Sequence, residues 1–256
     1  MDREIKSFIS SLDKQGFAIC DIEHLQGIEL IKKDLSIWLK ERYAINNSNP
    51  DYILNNIHLL AGLLNESEAN DLTLEAIKYL SVKYTFDEFI YDSCPSFFLA
   101  LFGCDIHSQK HNNLVVQHPS SSRNSELHID APPTSQFEVV CWLPLVDCYG
   151  SKTFYLVPIK RSIALMKQYH EGKYPTWEKF KSACLVDAQK VDVSYGQVLF
   201  FSSCQLHGSE KNETNETRWC LNARFKSLFA PCGSHDPLVF YRALKVGPLT
   251  KIALYS

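Results

Sequence analysis

The sequence predicts a mostly β fold, either a sandwich or a closed barrel, with a helical elaboration ahead of it. Apolar residues recur at helical spacing through about residue 103. Beyond Gly103 the apolar runs become short and are bounded by proline and glycine, as in sandwiches and barrels. The length of 256 residues fits one large domain. We therefore predict a helical N-terminal region over residues 1–103 that packs on a β core over residues 104–256, as one integrated domain.

The N-terminal region divides into several predicted helices. A first amphipathic helix ends at Gly16, and residues 17–20 follow as a possible short strand. A longer amphipathic helix covers residues 25–39, and Pro50 is suited to the first turn of the next one. Pro95 must kink a helix or begin a new one, because proline removes a helical hydrogen bond.

The second half contains the predicted strands. They lie at residues 114–117, 127–130, 137–143, 153–157, 191–193, 197–201 and 219–229. Pro132 and Pro133 end the second strand, and a helical insert at about 159–185 separates the fourth from the fifth. The tail beyond Pro231 is predicted to be irregular with a short helix.

Composition and charge exclude several classes of protein. The net charge of −3 offers no basic face for a nucleic acid. No run approaches the roughly 20 apolar residues of a membrane helix, and the first residues contain no secretory signal. The nine cysteines are odd in number and include no C-x-x-C pair, which argues against zinc ribbons and disulfide frameworks. We expect a cytoplasmic protein with reduced thiols that acts on a small molecule, in an oligomeric state that the sequence leaves open.

The candidate site begins with His128 and Asp130. Alternate residues of a strand point to the same face, so both side chains can reach one metal ion. His207 lies just past a later predicted strand, and Arg218 follows it. Two imidazoles and one carboxylate form the set that holds non-haem Fe(II) and leaves coordination positions open. A guanidinium is the natural partner for a carboxylate, to which Ser209 can add a hydroxyl, so the site predicts a metal with a dicarboxylate beside it.

These motifs resemble the Fe(II)/2-oxoglutarate-dependent dioxygenases, in the phytanoyl-CoA dioxygenase-like branch. The matching segments are H-I-D at 128–130, W-L-P-L-V-D at 142–147, F-Y-L-V-P at 154–158, G-Q-V-L-F-F at 196–201, H-G-S at 207–209, and Arg218. The chain is also similar to oxygenases of bacterial carbohydrate biosynthesis clusters, through Q-H-P at 117–119 and R-W-C-L-N-A-R at 218–224. The resemblance covers residues 113–229.

The resemblance implies a double-stranded β-helix, or jelly roll, with His128, Asp130 and His207 as catalytic iron ligands. It implies Fe(II), 2-oxoglutarate and O2 as cofactor and co-substrates, with Arg218 and Ser209 on the distal carboxylate of 2-oxoglutarate. The reaction would decarboxylate 2-oxoglutarate to succinate and hydroxylate a small polar metabolite, for example a sugar or a sugar-nucleotide-linked compound. Because Asp130 is an acid, the chloride vacancy of the related halogenases is absent, which disfavours halogenation.

Further candidates carry weaker predictions. Arg224 can bind a substrate anion, share the 2-oxoglutarate carboxylate, or form a structural ion pair. Gln117, like Asn113, can contact co-substrate or substrate, or hydrogen-bond a loop. Trp142 can form a pocket wall or belong to the core. The polar loop at 120–125 can act as a lid. The remaining histidines, among them His118, lack a partner pattern and are predicted to lie at the surface.

Two alternatives stay open from the sequence. The same iron site can catalyse desaturation, cyclisation or epimerisation, since the ligand set is identical for these outcomes. A barrel that binds metal or carbohydrate without turnover is the alternative from another class.

Overall fold

The structure is a computed structural model that describes residues 3–63, 65–121, 125–131 and 134–255. The predicted strand end at Pro132–Pro133 and the middle of the polar loop at 120–125 lie outside the described residues. Among the described residues, no helix is both long and apolar enough to cross a bilayer.

Ten helices and ten strands are found in the described residues. The helices are α1 (Arg3–Gln15), α2 (Gln26–Arg42), α3 (Pro50–Leu60), α4 (Glu66–Lys83), α5 (Phe86–Ser93), α6 (Pro95–Phe102), α7 (Ile159–His170), α8 (Trp177–Asp187), α9 (Pro237–Phe240) and α10 (Pro248–Tyr255). The strands are β1 (Phe17–Asp21), β2 (Ile106–Gln109), β3 (Asn113–Gln117), β4 (Val139–Pro144), β5 (Phe154–Leu156), β6 (Gln189–Val191), β7 (Gln197–Ser202), β8 (His207–Ser209), β9 (Arg218–Ser227) and β10 (Tyr241–Lys245). A 3-10 turn covers Gly150–Lys152.

Proline and capping residues fix several helix ends. The side chain of Asn49 accepts a hydrogen bond from the backbone N–H of Tyr52, and Pro50 occupies the first turn of α3. Cys94 separates α5 from α6, and Pro95 begins α6, so the predicted interruption at this proline is a new helix rather than a kink.

The strands form two antiparallel sheets. The main sheet has seven strands in the order β1-β7-β4-β9-β2-β10, with β3 also paired to β9. The small sheet has the order β6-β5-β8. The prediction of a β core with helical elaboration is confirmed, and the structure shows that both sheets are antiparallel. The predicted closed barrel is not seen in the described part of the chain, where the isolated bridges of His128 with His207 and of Cys148 with Val193 extend only the small sheet.

The two faces of the main sheet bury different partners. Along β7, Val198 and Phe200 pack against the N-terminal helices, whereas Leu199 and Phe201 pack toward the small sheet. This alternation follows from the two-residue period of a strand. Because β1 pairs with β7, the N-terminal region also contributes a strand to the main sheet. The helical layer therefore supports the outer face, and the inner face is left for a site between the sheets.

Several predicted elements differ from the structure. Residues 127–130 are not a strand, because only His128 forms a bridge, to His207. Strands β2, β8 and β10 were not predicted. The tail beyond Pro231 contains β10, which pairs with β2 at the edge of the main sheet, so this tail is less irregular than predicted.

His118 is buried, so its predicted surface position is wrong. Its Nδ1 lies 3.2 Å from Thr217 Oγ1, and Nδ1 of His58 lies 3.0 Å from the same hydroxyl. Burial, followed by the proximity of His58, lowers the pKa of His118 to about 4. The ring is therefore neutral in the fold at pH 7.

This burial predicts a loss of stability in acid. In the unfolded chain His118 takes up a proton near pH 6.5, but in the fold only near pH 4. The contribution of the neutral His118 ring to the free energy of unfolding is complete above pH 6.5. It falls by about 1.4 kcal/mol per pH unit as the pH is lowered toward 4. Denaturant unfolding at pH 7 and pH 5 gives the free energy of unfolding at each pH. Between the two, the unaltered protein should lose about 2 kcal/mol more than His118→Asn. Equal losses would contradict the neutral buried ring.

Candidate metal centre

Three side chains converge beside the small sheet. The backbone N–H groups of His128 and His207 each donate to the carbonyl of the other residue at 2.9 Å. The backbone N–H of Asp130, two residues after His128, donates to the Ser203 carbonyl at 3.0 Å. This bond fixes the backbone at the third candidate ligand. One ligand atom from each of His128, Asp130 and His207 lies within 4.8 Å of the other two, a spacing that one metal ion can bridge. The structure therefore brings the three predicted ligands together.

Both imidazoles present the same nitrogen to the candidate centre. Nδ1 of His128 lies 2.7 Å from the Glu126 carbonyl, and Nδ1 of His207 lies 2.8 Å from the Gln205 carbonyl. A carbonyl oxygen can only accept, so each Nδ1 carries the proton and each Nε2 keeps a lone pair. This arrangement, in which Nδ1–H binds a backbone carbonyl, is typical of metal-ligating histidines.

The electrostatics also favour a neutral ligand at His207. Burial is the main cause that lowers the pKa of this histidine to about 4, and the adjacent His128 lowers it further. The two ring centroids lie 4.1 Å apart. A neutral His207 imidazole beside the Asp130 carboxylate can accept a divalent cation without first losing a proton.

Arg224 binds the carboxylate of the candidate centre. Its Nη2 donates to Asp130 Oδ1 at 2.9 Å, and its Nη1 donates to Gln109 Oε1 at 3.0 Å. The same Oδ1 lies 3.7 Å from Nε2 of His128, so the guanidinium orients the oxygen that faces the imidazoles. Of the uses predicted for Arg224, the structure places it in an ion pair with Asp130.

Arg218 lies in the same cavity with much of its hydrogen-bonding capacity unused. The side chain is buried, and Nη1 donates to the Thr153 carbonyl at 3.1 Å. Among the described residues its buried Nε has no hydrogen-bond partner, and no carboxylate forms an ion pair with the guanidinium. Such a guanidinium retains its Nε edge for a bidentate carboxylate ligand.

The cavity between the sheets has a volume of about 190 Å³. Its wall includes His128, Asp130, Trp142, His207, Ser209, Arg218 and Arg224 from the sequence prediction. The hydroxyl of Ser209 accepts a hydrogen bond from the backbone N–H of Ser125 at 2.9 Å. Trp142 lines the cavity and also belongs to the buried core cluster beside it, and its ring lies 6.0 Å from the guanidinium carbon of Arg218. Asn113, which was predicted together with Gln117, also lines the cavity, so eight of the nine predicted side chains share it.

Gln117 is the exception. It is buried on β3 opposite Arg218, but it is not part of the cavity wall. Its amide nitrogen donates to the Glu210 carbonyl at 2.8 Å, which corresponds to the loop hydrogen bond considered as its alternative.

Several residues at the site were not predicted from the sequence. Phe154 and Phe201 form an apolar wall, and Asn222 adds an amide whose buried Oδ1 has no partner among the described residues. The predicted candidate Asn113 lies directly opposite Asn222 in the ladder. Asn222 is an even number of residues from both Arg218 and Arg224, so the period of β9 was the available signal for it.

Gly208 is required by close packing behind the cavity. A Cβ at this position would lie 2.5 Å from the Tyr155 hydroxyl and 2.9 Å from the Ser125 carbonyl. Gly208→Ala should therefore destabilise the fold by about 1–3 kcal/mol and displace His207 or Ser209 beside it. The check is a denaturation curve together with an Fe(II) titration. Gly172→Ala is a matched control, because a Cβ added there would meet no atom within 4 Å beyond its chain neighbours. The φ of 73° at Gly172 means that alanine adds backbone strain there, but Gly172 is not part of the cavity wall.

Comparisons with known proteins give matches only among solved structures. No protein-family profile and no curated protein sequence matches the chain. The non-haem alpha-ketoglutarate-dependent carbocyclase SnoK from nogalamycin biosynthesis superposes with a TM-score of 0.54 at 13% identity, over 91% of this chain and 87% of SnoK. HygX from Streptomyces hygroscopicus, solved with nickel and 2-oxoglutarate, gives 0.52 at 11% identity, over 90% and 88%.

A third structure is the epimerase SnoN in complex with Fe3+, alpha-ketoglutarate and nogalamycin RO. It gives a TM-score of 0.51 at 12% identity, over 92% of this chain and 88% of SnoN. The resemblance inferred from the motifs is thereby confirmed for the fold, which the chain shares with SnoK, HygX and SnoN.

Proposed function

We propose that the chain is an Fe(II)- and 2-oxoglutarate-dependent non-haem oxygenase that hydroxylates a small polar molecule. The observation that carries the proposal is one cavity with two complementary parts. His128, Asp130 and His207 offer two imidazole nitrogens and a carboxylate, and Arg218 offers a guanidinium with no carboxylate partner among the described residues. A metal and a dicarboxylate would satisfy both parts at once.

The donor set fits Fe(II). Each Nε2 is free because each Nδ1 is committed to a carbonyl, and Arg224 holds Asp130 Oδ1 toward the imidazoles. Three protein ligands leave positions for a chelating co-substrate and for O2. When bound, iron and 2-oxoglutarate would supply the oxidative chemistry, with succinate and CO2 as products.

The remaining residues bind, orient and exclude water. Arg218 would bind the distal carboxylate through its unpaired edge, and Ser209 would donate its hydroxyl to the same group, since that hydroxyl already accepts from Ser125. Trp142, Phe154 and Phe201 form the apolar wall that excludes water from the reacting atoms. Gln117 would support the loop at Glu210 instead of contacting the co-substrate.

The proposal extends to the jelly-roll fold, the cellular setting and the substrate class. The two facing sheets fit a double-stranded β-helix, in which the bridge between His128 and His207 extends the small sheet. All nine cysteines are free thiols, which supports a reducing, cytoplasmic setting for the enzyme. A sugar or a sugar-nucleotide-linked compound is the substrate class that the subgroup resemblance supports, in the phytanoyl-CoA dioxygenase-like branch.

The same iron site is also compatible with epimerisation or cyclisation. Two structures with this fold are described as an epimerase and a carbocyclase. Ligands and co-substrate would be unchanged, so product analysis separates these outcomes: hydroxylation adds an oxygen atom, epimerisation leaves the mass unchanged, and desaturation or ring closure removes two hydrogen atoms.

Succinate production tests the proposal against a barrel that binds metal without turnover. The protein with Fe(II), 2-oxoglutarate and air should form succinate slowly even without the primary substrate. His128→Ala should form none above the background of free iron. Equal succinate from both proteins, or none from the unaltered protein after iron loading has been verified, would contradict the proposed function.

A further inference from the structure

Lys152 is a fully buried cation close to the candidate co-substrate site. Its side chain is 0% exposed, in the 3-10 turn ahead of β5. The ammonium donates to Glu216 Oε2 and to Asn55 Oδ1, both at 2.7 Å. Burying an ammonium costs several kcal/mol, and its ion pair with Glu216, whose side chain is 34% exposed, adds little net stability in return. The role of the Lys152 ammonium is therefore better explained by the positions in which it holds Glu216 and Asn55 than by a gain in stability.

The partners of Lys152 belong to segments that surround Arg218. Thr153, the next residue, provides the carbonyl that accepts Nη1 of Arg218. Glu216 lies two residues before Arg218, at the entry to β9. Asn55 lies on α3, in the N-terminal region. One ammonium thus joins the turn that anchors the guanidinium, the start of the strand that carries it, and a helix behind the sheet.

Helix α3 binds the residues on both sides of Arg218. The backbone N–H of Thr217 donates to the Asn55 carbonyl at 2.7 Å. The indole N–H of Trp219 donates to the Leu54 carbonyl at 2.8 Å. Both Thr217 and Trp219 are completely buried. Because alternate residues of a strand face opposite sides, these bonds hold the outer face of β9 while Arg218 projects into the cavity.

The ion pair also keeps a carboxylate away from Arg218. Glu216 is the acidic residue nearest to Arg218 along the chain, and it accepts hydrogen bonds from Lys152 at 2.7 Å and from the Tyr149 hydroxyl at 3.1 Å. Its charge is therefore compensated within this cluster. The guanidinium of Arg218 is left available for an external carboxylate.

We propose that Lys152 is a positioning residue for the 2-oxoglutarate site, acting through Glu216 and Asn55. It fixes the turn at Thr153 and the start of β9 against α3, and so sets the orientation of Arg218. The N-terminal helical region thereby takes part in co-substrate binding without contacting the co-substrate. This inference rests on the proposed function, in which Arg218 binds 2-oxoglutarate. A site held loosely by its supporting residues loses affinity although every contacting group is present.

Substitution of Lys152 by methionine tests the positioning role. Lys152→Met keeps the length of the side chain and removes the ammonium. We expect the Kd for 2-oxoglutarate, measured by anaerobic titration of the iron-loaded protein, to rise about 10-fold, with Fe(II) affinity unchanged. Asn55→Ala is a milder variant that keeps the ion pair and loses one bond to α3, and we expect a rise of about 3-fold. If Lys152→Met does not fold, Asn55→Ala decides the question.

Lys226 provides a matched control. It is also 0% exposed and lies on the same strand as Arg218, but its ammonium donates to the carbonyls of Ser227 and Ala230. Lys226→Met should lower the melting temperature, as Lys152→Met does, and leave the Kd for 2-oxoglutarate unchanged. An equal rise in Kd for both variants would show a general effect of stability and overturn the proposal.

A double variant separates positioning from stability. Lys152→Met with Glu216→Gln removes both charges of the pair, so the melting temperature should recover part of its loss. Under the positioning role the Kd for 2-oxoglutarate stays high, and a Kd that recovers together with the melting temperature would overturn it. If Arg218→Met leaves 2-oxoglutarate binding unchanged, the proposed function fails. If Arg218→Met weakens binding and Lys152→Met does not, only the positioning role fails.

Discussion

Arg218→Met should weaken 2-oxoglutarate binding about 100-fold, or about 2.7 kcal/mol, while the Fe(II) affinity stays unchanged. The guanidinium is buried and its Nε has no partner among the described residues, so a carboxylate bound there loses a charge-assisted bidentate contact. Anaerobic titration of the iron-loaded protein with 2-oxoglutarate measures the effect.

Two variants accompany this measurement. Arg218→Lys keeps the charge but loses the planar fork, so we expect an intermediate loss of about 10-fold. Arg161→Met removes an exposed arginine that pairs with Asp187 on the helical insert, and it should bind 2-oxoglutarate normally. Unchanged binding by Arg218→Met would show that Arg218 does not hold the co-substrate.

His207→Ala should reduce Fe(II) affinity by at least about 100-fold and abolish succinate formation. Changing a residue that only supports a metal ligand costs about 10- to 100-fold, so loss of a ligand should exceed that range. His207 is buried, and its Nδ1 donates to the Gln205 carbonyl. Among the described residues no other group of three potential ligands offers an alternative metal site. Isothermal titration with Fe(II) under anaerobic conditions measures the loss.

His170→Ala is the control for this substitution. His170 is exposed at the end of α7, outside the cavity wall, so its removal should leave Fe(II) affinity unchanged. Equal Fe(II) affinity of His207→Ala and the unaltered protein would exclude His207 as a ligand. Loss in both variants would point to nonspecific binding by surface histidines.

The cluster of His128, Asp130 and His207 could be predicted because each of its two short segments carries a local signal. Two ligands lie two residues apart, and the third follows a predicted strand together with Ser209. The strand predicted around His128 is only a single bridge, yet the backbone bonds to His207 and Ser203 orient the same side chains. The predicted side chains therefore lie together although the predicted secondary structure around them is partly wrong.

Contacts set by strand register could not be predicted. Gln109 binds Arg224 because β2 lies next to β9, and Asn113 lies beside Asn222 because β3 pairs with the same strand. No pattern within either segment encodes the choice of partner strand. Short strands such as β8, and a tail without periodic apolar residues, likewise give too little local signal.

The N-terminal region illustrates the same limit. Its helices were predictable from the spacing of apolar residues, and Pro95 marked a helix start. Its connection to the site depends on polar bonds from Asn55 to Lys152 and Thr217, residues about 100 and 160 positions away. Such pairs carry no motif, and only the folded arrangement brings them together.

The most direct test of the proposed site is the visible spectrum of the protein titrated anaerobically with Fe(II) and 2-oxoglutarate. We predict a weak charge-transfer band that needs both additions, is absent in His128→Ala, and gives way to succinate when air is admitted. A spectrum that stays unchanged when 2-oxoglutarate is added to protein with verified iron loading would contradict the claim that His128, Asp130, His207 and Arg218 form one iron and 2-oxoglutarate site.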